Sequence, residues 1–218
     1  MKTLNEIIRE SAVKVAEREK EQYKSYPSHI LKSVERYEEE ILKEIQYDIP
    51  ILYKDAWLTD NKLFEKIRKN LKERRGCYFY GEAGTGKTYL LYAILRLLRA
   101  TSSRARVINV PDFLSHLKTF YGNGEGGEGA VRDELDINAC LFVDDFGAEK
   151  VTEWNTDIMY QIINRRYEEK LPTFFASNLS LEYLAERSGD RIPSRISEMC
   201  EVIKLDGPDR RLTKYEVQ

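Results

Sequence analysis

The feature that most constrains this chain is a glycine-rich motif that fits the pattern GxxxxGK[ST] at every position: Gly81-Glu82-Ala83-Gly84-Thr85-Gly86-Lys87-Thr88. A short apolar strand, Cys77 to Tyr80, precedes it, and an almost wholly apolar helix, Tyr89 to Leu98, follows it. Glycines let main-chain N–H groups curl around phosphates, and the N-terminus of a helix adds positive potential. The motif therefore predicts an ATP site, in which Lys87 neutralises the β- and γ-phosphates and the Thr88 hydroxyl binds Mg²⁺.

Beyond this motif, apolar strands and helices alternate along the chain. The sequence predicts further strands at Arg106–Val110, Ala139–Val143, Thr173–Ser177 and Val202–Leu205, with helices at Asp112–Phe120 and Trp154–Tyr167. A helix, with Leu63, Ile67 and Leu71 as its buried stripe, precedes the first strand. Such alternation is typical of a parallel sheet with helices on both faces, the three-layer α/β class.

A second motif places two carboxylates at the end of a buried strand: Leu141-Phe142-Val143-Asp144-Asp145-Phe146. An apolar strand that ends in acidic residues downstream of a phosphate loop is the Walker B pattern. Asp144 is predicted to hold Mg²⁺, and Asp145 to orient or deprotonate the attacking water.

Two weaker signals follow. Asn178 ends the next buried strand, where its amide could sense a γ-phosphate, although asparagine is also a common turn residue. Arg195 lies on a short helical segment within Gly189–Ile196. An arginine there could stabilise transition-state charge on a neighbouring subunit, or it could form an ordinary surface salt bridge.

Composition limits the class of the chain. Its 218 residues, 42% of them hydrophobic, suffice for one α/β domain with a short extension, and no apolar run reaches the ~18 residues that span a membrane. The three cysteines form no CxxC pair, so neither a zinc site nor a disulfide framework is indicated. The N-terminus lacks a signal-peptide core, which predicts a cytoplasmic protein. A net charge of −2 leaves room only for a local basic stripe.

Two segments stand apart from the predicted domain, which spans residues 49–218. Residues 1–48 are charged, and their narrow apolar stripes predict two helices separated at Tyr26-Pro27-Ser28. This N-terminal helical arm is either a solvated extension or a partner-docking element, since its stripes are too narrow to form a core. The glycine-rich stretch 122–129 is either a tolerated insertion or a loop that orders on a ligand.

Together these motifs resemble the AAA+ ATPases, and more narrowly the DnaC/DnaI-type replicative helicase loaders and the related IstB transposition helpers. The resemblance runs from about Ile49 to Arg211. Its most specific stretches are Phe146-Gly147-Ala148-Glu149 after the paired aspartates, then Asn164-Arg165-Arg166-Tyr167 and Ser177-Asn178-Leu179.

The resemblance implies a P-loop NTPase fold of the ASCE type, with the Walker B strand between the P-loop strand and its neighbour. It implies that Asn178 is sensor 1 and that Arg195, with Arg191 one helical turn earlier, is an arginine finger acting in trans. It also implies self-association through the ATP site, contact with single-stranded DNA, and docking of the N-terminal segment on a hexameric replicative helicase.

The sequence departs from the AAA+ pattern in three places. Asp145 replaces the usual glutamate and is one methylene shorter, which suggests slow hydrolysis. The chain ends at Gln218, so a reduced or absent C-terminal lid is expected, with Arg210 or Arg211 as the sensor 2 candidates. The arm also lacks the cysteine-rich zinc module of some loaders.

The leading hypothesis is an ATP-dependent helicase loader that binds the replicative helicase and single-stranded DNA, with ATP binding and hydrolysis controlling assembly and release. The alternative is an IstB-like helper of a transposase, and the paired aspartates disfavour a small-molecule kinase. Lys118 and Arg132, which flank the glycine-rich stretch, are the predicted DNA contacts, with Tyr121 as a stacking platform.

Overall fold

The computed structural model describes residues 49–54, 56, 58, 60–100, 105–122 and 140–211. The arm at residues 1–48, all of the glycine-rich stretch except Gly122, and Arg132 lie outside these ranges. The predictions made for those segments therefore stay predictions.

The described residues form an alternating series of strands and helices. A 3₁₀ turn, Ile51–Tyr53, comes first. The elements that follow are α1 Asn61–Lys72, β1 Gly76–Tyr80, α2 Lys87–Ala100, β2 Ala105–Asn109, α3 Val110–Gly122, β3 Cys140–Phe146, α4 Glu153–Glu168, β4 Thr173–Ser177, α5 Leu181–Ser188, α6 Arg191–Met199 and β5 Cys200–Lys204. Helix α6 passes into β5 with no residue between them.

The five strands make one parallel sheet in the order β2-β3-β4-β1-β5. Successive side chains of a strand point to opposite faces, and both faces are covered here. Phe79, Phe142 and Phe174 pack with α1 and α2 on one face. On the other face, Tyr78 and Phe175 pack with α3, α4, α5 and α6. The predicted three-layer α/β architecture is confirmed.

The strand order corrects one expectation. The Walker B strand β3 was expected beside the P-loop strand, but β4 lies between β3 and β1 and pairs with both. All five side chains of β4 are buried, which suits a central strand covered on both faces. Asn178, which directly follows β4, is thereby placed between the strand ends that carry the two nucleotide motifs.

Element boundaries differ modestly from the predictions, and one helix was missed. Strand β3 continues through Asp144 and Asp145 to Phe146, so the acidic pair lies within the strand. Helix α5 was not predicted, although Ser180 caps it by accepting a hydrogen bond from the Tyr183 main-chain N–H at 3.4 Å.

A buried arginine joins α4 to the start of β4. Arg166 is 1% exposed, and its Nε donates to Thr173 Oγ1 at 2.7 Å while its NH2 donates to the Pro172 carbonyl at 2.9 Å. Burial lowers the pKa of this guanidinium to about 10. Within the Asn164-Arg165-Arg166-Tyr167 motif, Arg166 therefore has a structural role.

Gly76 is expected to be intolerant of a side chain. A Cβ atom there would lie 1.7 Å from the Thr173 carbonyl oxygen, at the close approach of β1 and β4. Because that neighbour is main chain of a central strand, Gly76→Ala should lower the free energy of unfolding by about 3 kcal/mol or more. Urea unfolding measures the loss, and a midpoint equal to that of the unaltered protein would contradict the packing described here.

Candidate nucleotide-binding site

The glycine-rich loop connects β1 to α2 and closes around Lys87. Its main chain has positive φ at Gly84 (80°) and Gly86 (96°), values that favour glycine. The Lys87 Nζ donates to the carbonyls of Gly81 at 3.0 Å and Glu82 at 2.7 Å. Burial, and then the positive charge of Arg211, lowers the pKa of Lys87. The loop thus concentrates a partly desolvated ammonium beside main-chain N–H groups, an arrangement suited to phosphate.

Thr88 and Asp144 meet beside this loop. The Thr88 Oγ1 donates to Asp144 Oδ1 at 3.0 Å, and Asp144 is 6% exposed. Burial, and then the neighbouring Asp145 charge, raises the pKa of Asp144 to about 6. A hydroxyl beside a carboxylate fits Mg²⁺, which proteins bind through one or two such oxygens together with substrate phosphates. The structure therefore brings together the two side chains that the sequence assigned to one metal ion.

The raised pKa of Asp144 predicts a pH-dependent stability of the metal-free protein. Above about pH 4 the unfolded carboxyl loses its proton while the folded one keeps it up to about pH 6, so stability falls as pH rises. Asp144→Asn removes this titration. The variant should be more stable than the unaltered protein by roughly 3 kcal/mol near pH 7.5 and by roughly half as much near pH 5. Urea unfolding with a chelator present measures the difference in free energy of unfolding between the two proteins at each pH. An equal difference at both pH values would contradict the prediction.

Asp145 is directed outward by an irregularity in β3. The pairing of β3 with β4 shifts between Val143 and Phe146, and Asp145 has a φ of 52° and is exposed. The Asn109 Nδ2 donates to Asp145 Oδ2 at 2.9 Å. Asn109, at the end of β2, was missed in the sequence, although a polar residue ending an apolar strand was the signal used for Asn178.

Asn178 lies beside the glycine-rich loop, at the end of β4. It is exposed and lines a cleft of about 340 Å³ together with Gly81, Glu82 and Thr85. The Ser177 hydroxyl fixes the turn, since it donates to the Phe146 carbonyl at 2.6 Å and accepts from the Leu179 N–H at 3.0 Å. The structure therefore brings the predicted sensor to the same sheet edge as both nucleotide motifs.

The segment after β5 returns to the glycine-rich loop. The Arg210 main-chain N–H donates to the Gly84 carbonyl at 3.0 Å, and the Asp209 carboxylate occupies the space that a Cβ on Gly84 would need. The Arg210 guanidinium is likewise in contact range of a Cβ built on Gly86, at 3.3 Å. Residues 205–211, the last that the structure describes, contain no helix.

Arg195 and Arg191 lie away from this loop, on α6. The Arg195 guanidinium bonds to α4, with Nε donating to Asn164 Oδ1 at 2.5 Å and NH2 donating to the Tyr160 hydroxyl at 2.9 Å. Arg191 is exposed, and its guanidinium carbon lies 6.0 Å from the Tyr160 ring centroid. The structure thus brings together the loop, the acidic pair and Asn178, whereas the guanidinium groups of the two arginines contact α4.

Of the residues predicted to contact DNA, one has a described side chain. Lys118 is exposed on α3, with its Nζ 5.1 Å from the centroid of the Trp154 ring. Tyr121 lies in the last turn of α3. No helix in the described ranges is long and apolar enough to cross a membrane.

Comparison with known families decides the assignment of this fold and site. The family model described as IstB-like ATP binding protein matches residues 56–216, which include every strand and α-helix of the sheet domain. The chain belongs to the IstB-like ATP-binding family. Membership of an ATP-binding family agrees with the geometry of the glycine-rich loop and the acidic pair.

Two curated relatives of this IstB-like chain are similar over the same domain. The replicative helicase loader DnaI of Bacillus subtilis (strain 168) is 31% identical over 164 residues, covering 68% of this chain and 51% of DnaI. The replicative helicase loader DnaC of Escherichia coli (strain K12) is 29% identical over 141 residues, covering 63% of this chain and 58% of DnaC. The chain therefore spans just over half the length of these relatives.

The fold also matches solved structures. One described as the crystal structure of the DnaI superposes with a TM-score of 0.58 at 27% identity, over 78% of this chain and 93% of that one. The P-loop α/β fold of AAA+ type, expected from the resemblance, is confirmed.

Proposed function

We propose that this IstB-like protein is an ATP-dependent helicase loader of DNA replication. The observation that carries the proposal is the similarity, at about 30% identity, to two proteins named replicative helicase loaders. The similarity extends over a domain in which the glycine-rich loop, the acidic pair and Asn178 meet at the carboxyl ends of the strands. In this role, the output of ATP binding is a change of assembly.

The proposed site binds ATP with Mg²⁺ through four side chains. Lys87 faces the β- and γ-phosphates, and the main-chain N–H groups of residues 81–88 surround them. Thr88 and Asp144, already 3.0 Å apart, hold the metal. Bound Mg²⁺ would neutralise charge that develops on the phosphates. Arg210 or Arg211, beside the loop, would act as sensor 2.

Hydrolysis would use residues at the ends of neighbouring strands. Asp145 orients or deprotonates the attacking water, and the hydrogen bond from Asn109 at 2.9 Å holds its carboxylate in place. Asn178 senses the γ-phosphate from the end of β4. Because aspartate is shorter than the usual glutamate and is held by Asn109, slow turnover is expected, stimulated by assembly or DNA.

Arg195 would complete the site of a second copy of the chain. In the described residues its guanidinium bonds to α4 and makes no contact with the glycine-rich loop or the acidic pair of its own chain. Self-association through the ATP site would bring Arg195, with Arg191 beside it, to the γ-phosphate held by a neighbour. ATP would then favour the assembled state, and hydrolysis its release.

The partners follow from the same proposal. The arm at residues 1–48 would dock on the hexameric replicative helicase, while Lys118, Tyr121 and Arg132 would contact single-stranded DNA on the assembled domain. Neither partner contact involves the nucleotide motifs directly.

Recovery of the partner from cells tests the loader proposal. The full-length chain, tagged at its C-terminus and isolated with ATP and Mg²⁺ present, should recover the replicative helicase of the same cell. A version in which residues 1–48 are replaced by a flexible linker should lose the helicase and keep ATP binding. Recovery of no helicase by the full chain would refute the loader role.

A transposition helper is the second candidate, because the matched family is named for IstB. This alternative uses the same nucleotide site and differs in the partner. The same isolation distinguishes the two: recovery of a transposase with no helicase would favour the helper.

A further inference from the structure

Two tyrosines and one asparagine on α4 contact the Arg195 guanidinium. Tyr160, Asn164 and Tyr167 are spaced at i, i+4 and i+7, which places them on one face of the helix. We call these three residues the arginine cradle. Arg195 projects from α6 onto this face.

Three nitrogens of the guanidinium are engaged. Nε donates to Asn164 Oδ1 at 2.5 Å, NH2 donates to the Tyr160 hydroxyl at 2.9 Å, and NH1 donates to the Arg191 carbonyl at 3.2 Å. The guanidinium carbon also lies 4.8 Å from the centroid of the Tyr160 ring and 5.8 Å from that of Tyr167. The hydrogen bonds therefore restrain the Arg195 guanidinium within its own plane, and the two tyrosine rings restrain it out of that plane.

Two further hydrogen bonds hold residues of the arginine cradle in place. The Asn164 Nδ2 donates to Glu168 Oε1 at 2.9 Å, which orients the amide so that its oxygen faces Arg195. The Tyr167 hydroxyl donates to Glu198 Oε2 at 2.6 Å, which ties the ring to α6. A side chain whose own rotamer is fixed positions its neighbour more accurately.

The groups that hold Arg195 are uncharged. In the part of the chain that the structure describes, no carboxylate forms an ion pair with Arg195, whereas Arg165 on the same helix pairs with Glu169 at 3.0 Å. The three hydrogen bonds use three of the five guanidinium N–H groups, which leaves two for another acceptor. The sequence also allowed the interpretation that Arg195 forms an ordinary surface salt bridge, and this arrangement is not one.

We propose that Tyr160 and Asn164 are positioning residues, which hold Arg195 ready to contact the phosphate of ATP bound by a neighbouring copy of the chain. This inference rests on the proposed function, because it needs Arg195 to act in trans. Uncharged partners orient the Arg195 guanidinium without neutralising it, so its positive charge remains available to an anion. Tyr167 supplies the second ring face beneath it.

Mixed assemblies test the proposal with the full chain. The donor copy carries Lys87→Ala and keeps Arg195, and the acceptor copy carries Arg195→Ala and keeps its glycine-rich loop. Neither should hydrolyse ATP alone, and their mixture should recover ATP hydrolysis. Tyr160→Phe or Asn164→Ala, added to the donor, should each lower the recovered rate about tenfold, the effect of losing one hydrogen bond to a charged group.

Placing the same substitutions in the acceptor separates positioning from folding. There the cradle has no arginine to hold, so the recovered rate should not change, and this result also shows that the variants fold. Glu169→Gln in the donor is the matched control, because it breaks an ion pair on α4 without touching the cradle. It should leave recovery intact.

The outcomes separate the two proposals. A mixture of the simple donor and acceptor that recovers no hydrolysis refutes the trans arginine, and the cradle with it. Normal recovery that is insensitive to the cradle substitutions in the donor overturns the cradle alone. Equal losses in donor and acceptor indicate a merely structural role, and increased recovery indicates that the cradle restrains Arg195. Either result also overturns the inference.

Discussion

Lys87→Ala should abolish nucleotide binding, with ATP affinity falling by at least about a thousandfold, the effect of removing a charge partner from a buried site. The ammonium is buried at the centre of the loop and bonds to two of its carbonyls, at 3.0 and 2.7 Å. Without it, the polyphosphate would face only main-chain N–H groups and the metal. Titration calorimetry with ATP and Mg²⁺ measures the loss.

Lys66→Ala is the matched control for this substitution. It removes the same charge from an exposed lysine that pairs with Glu201 at 2.9 Å, far from the loop, so ATP affinity should not change. Lys87→Ala should also unfold at no lower temperature than the unaltered protein, because burial already disfavours its charge. An ATP affinity unchanged by Lys87→Ala would refute the assignment of the whole site.

The second large effect is expected from Arg195→Ala, which should leave the ATP affinity of the unassembled chain unaltered while lowering turnover in the assembled state by about a thousandfold. The separation arises because Arg195 contacts α4 and not the loop of its own chain. It would stabilise charge that appears only in the transition state of the neighbouring site. ATP hydrolysis measured against protein concentration shows the effect, because turnover of the unaltered chain should rise as copies associate.

Arg195→Lys sharpens this prediction. Lysine keeps the charge but lacks the planar fork that Tyr160 and Asn164 hold, so most of the lost turnover should not return. Arg68→Ala, which removes an exposed arginine paired with Glu65 on α1, is the matched control and should hydrolyse ATP normally. An assembled form that turns over equally well with and without Arg195 would show that the residue has no role in trans.

The sequence predicted those parts of the structure that depend on local patterns. The glycine-rich loop, the apolar strand before Asp144 and the fully buried strand before Asn178 each carry their signal within a few residues. The order of strands in the sheet does not, because it depends on which apolar faces meet across the whole chain. The expected position of β3 beside β1 was wrong for this reason.

Side-chain partners were predicted only where a motif named them. Thr88 and Asp144 were assigned to one metal, and the structure brings them within hydrogen-bonding distance. Asn109 was missed, because its contact with Asp145 joins two strands separated by the glycine-rich stretch. The neighbours of Arg195 were missed for a related reason, since helical spacing alone does not indicate which face of α4 meets α6.

The direct junction between α6 and β5 has a mechanical consequence. Arg195 lies on a helix that ends at Met199, and β5 begins at the next residue and pairs with β1 along its whole length. The Leu205 N–H then donates to the Tyr80 carbonyl at 2.7 Å, one residue before the glycine-rich loop. No loop therefore separates the helix that carries Arg195 from the strand that pairs with β1. If copies of the chain associate as proposed, a displacement of Arg195 in one copy would be transmitted along this path to the phosphate loop of the same copy.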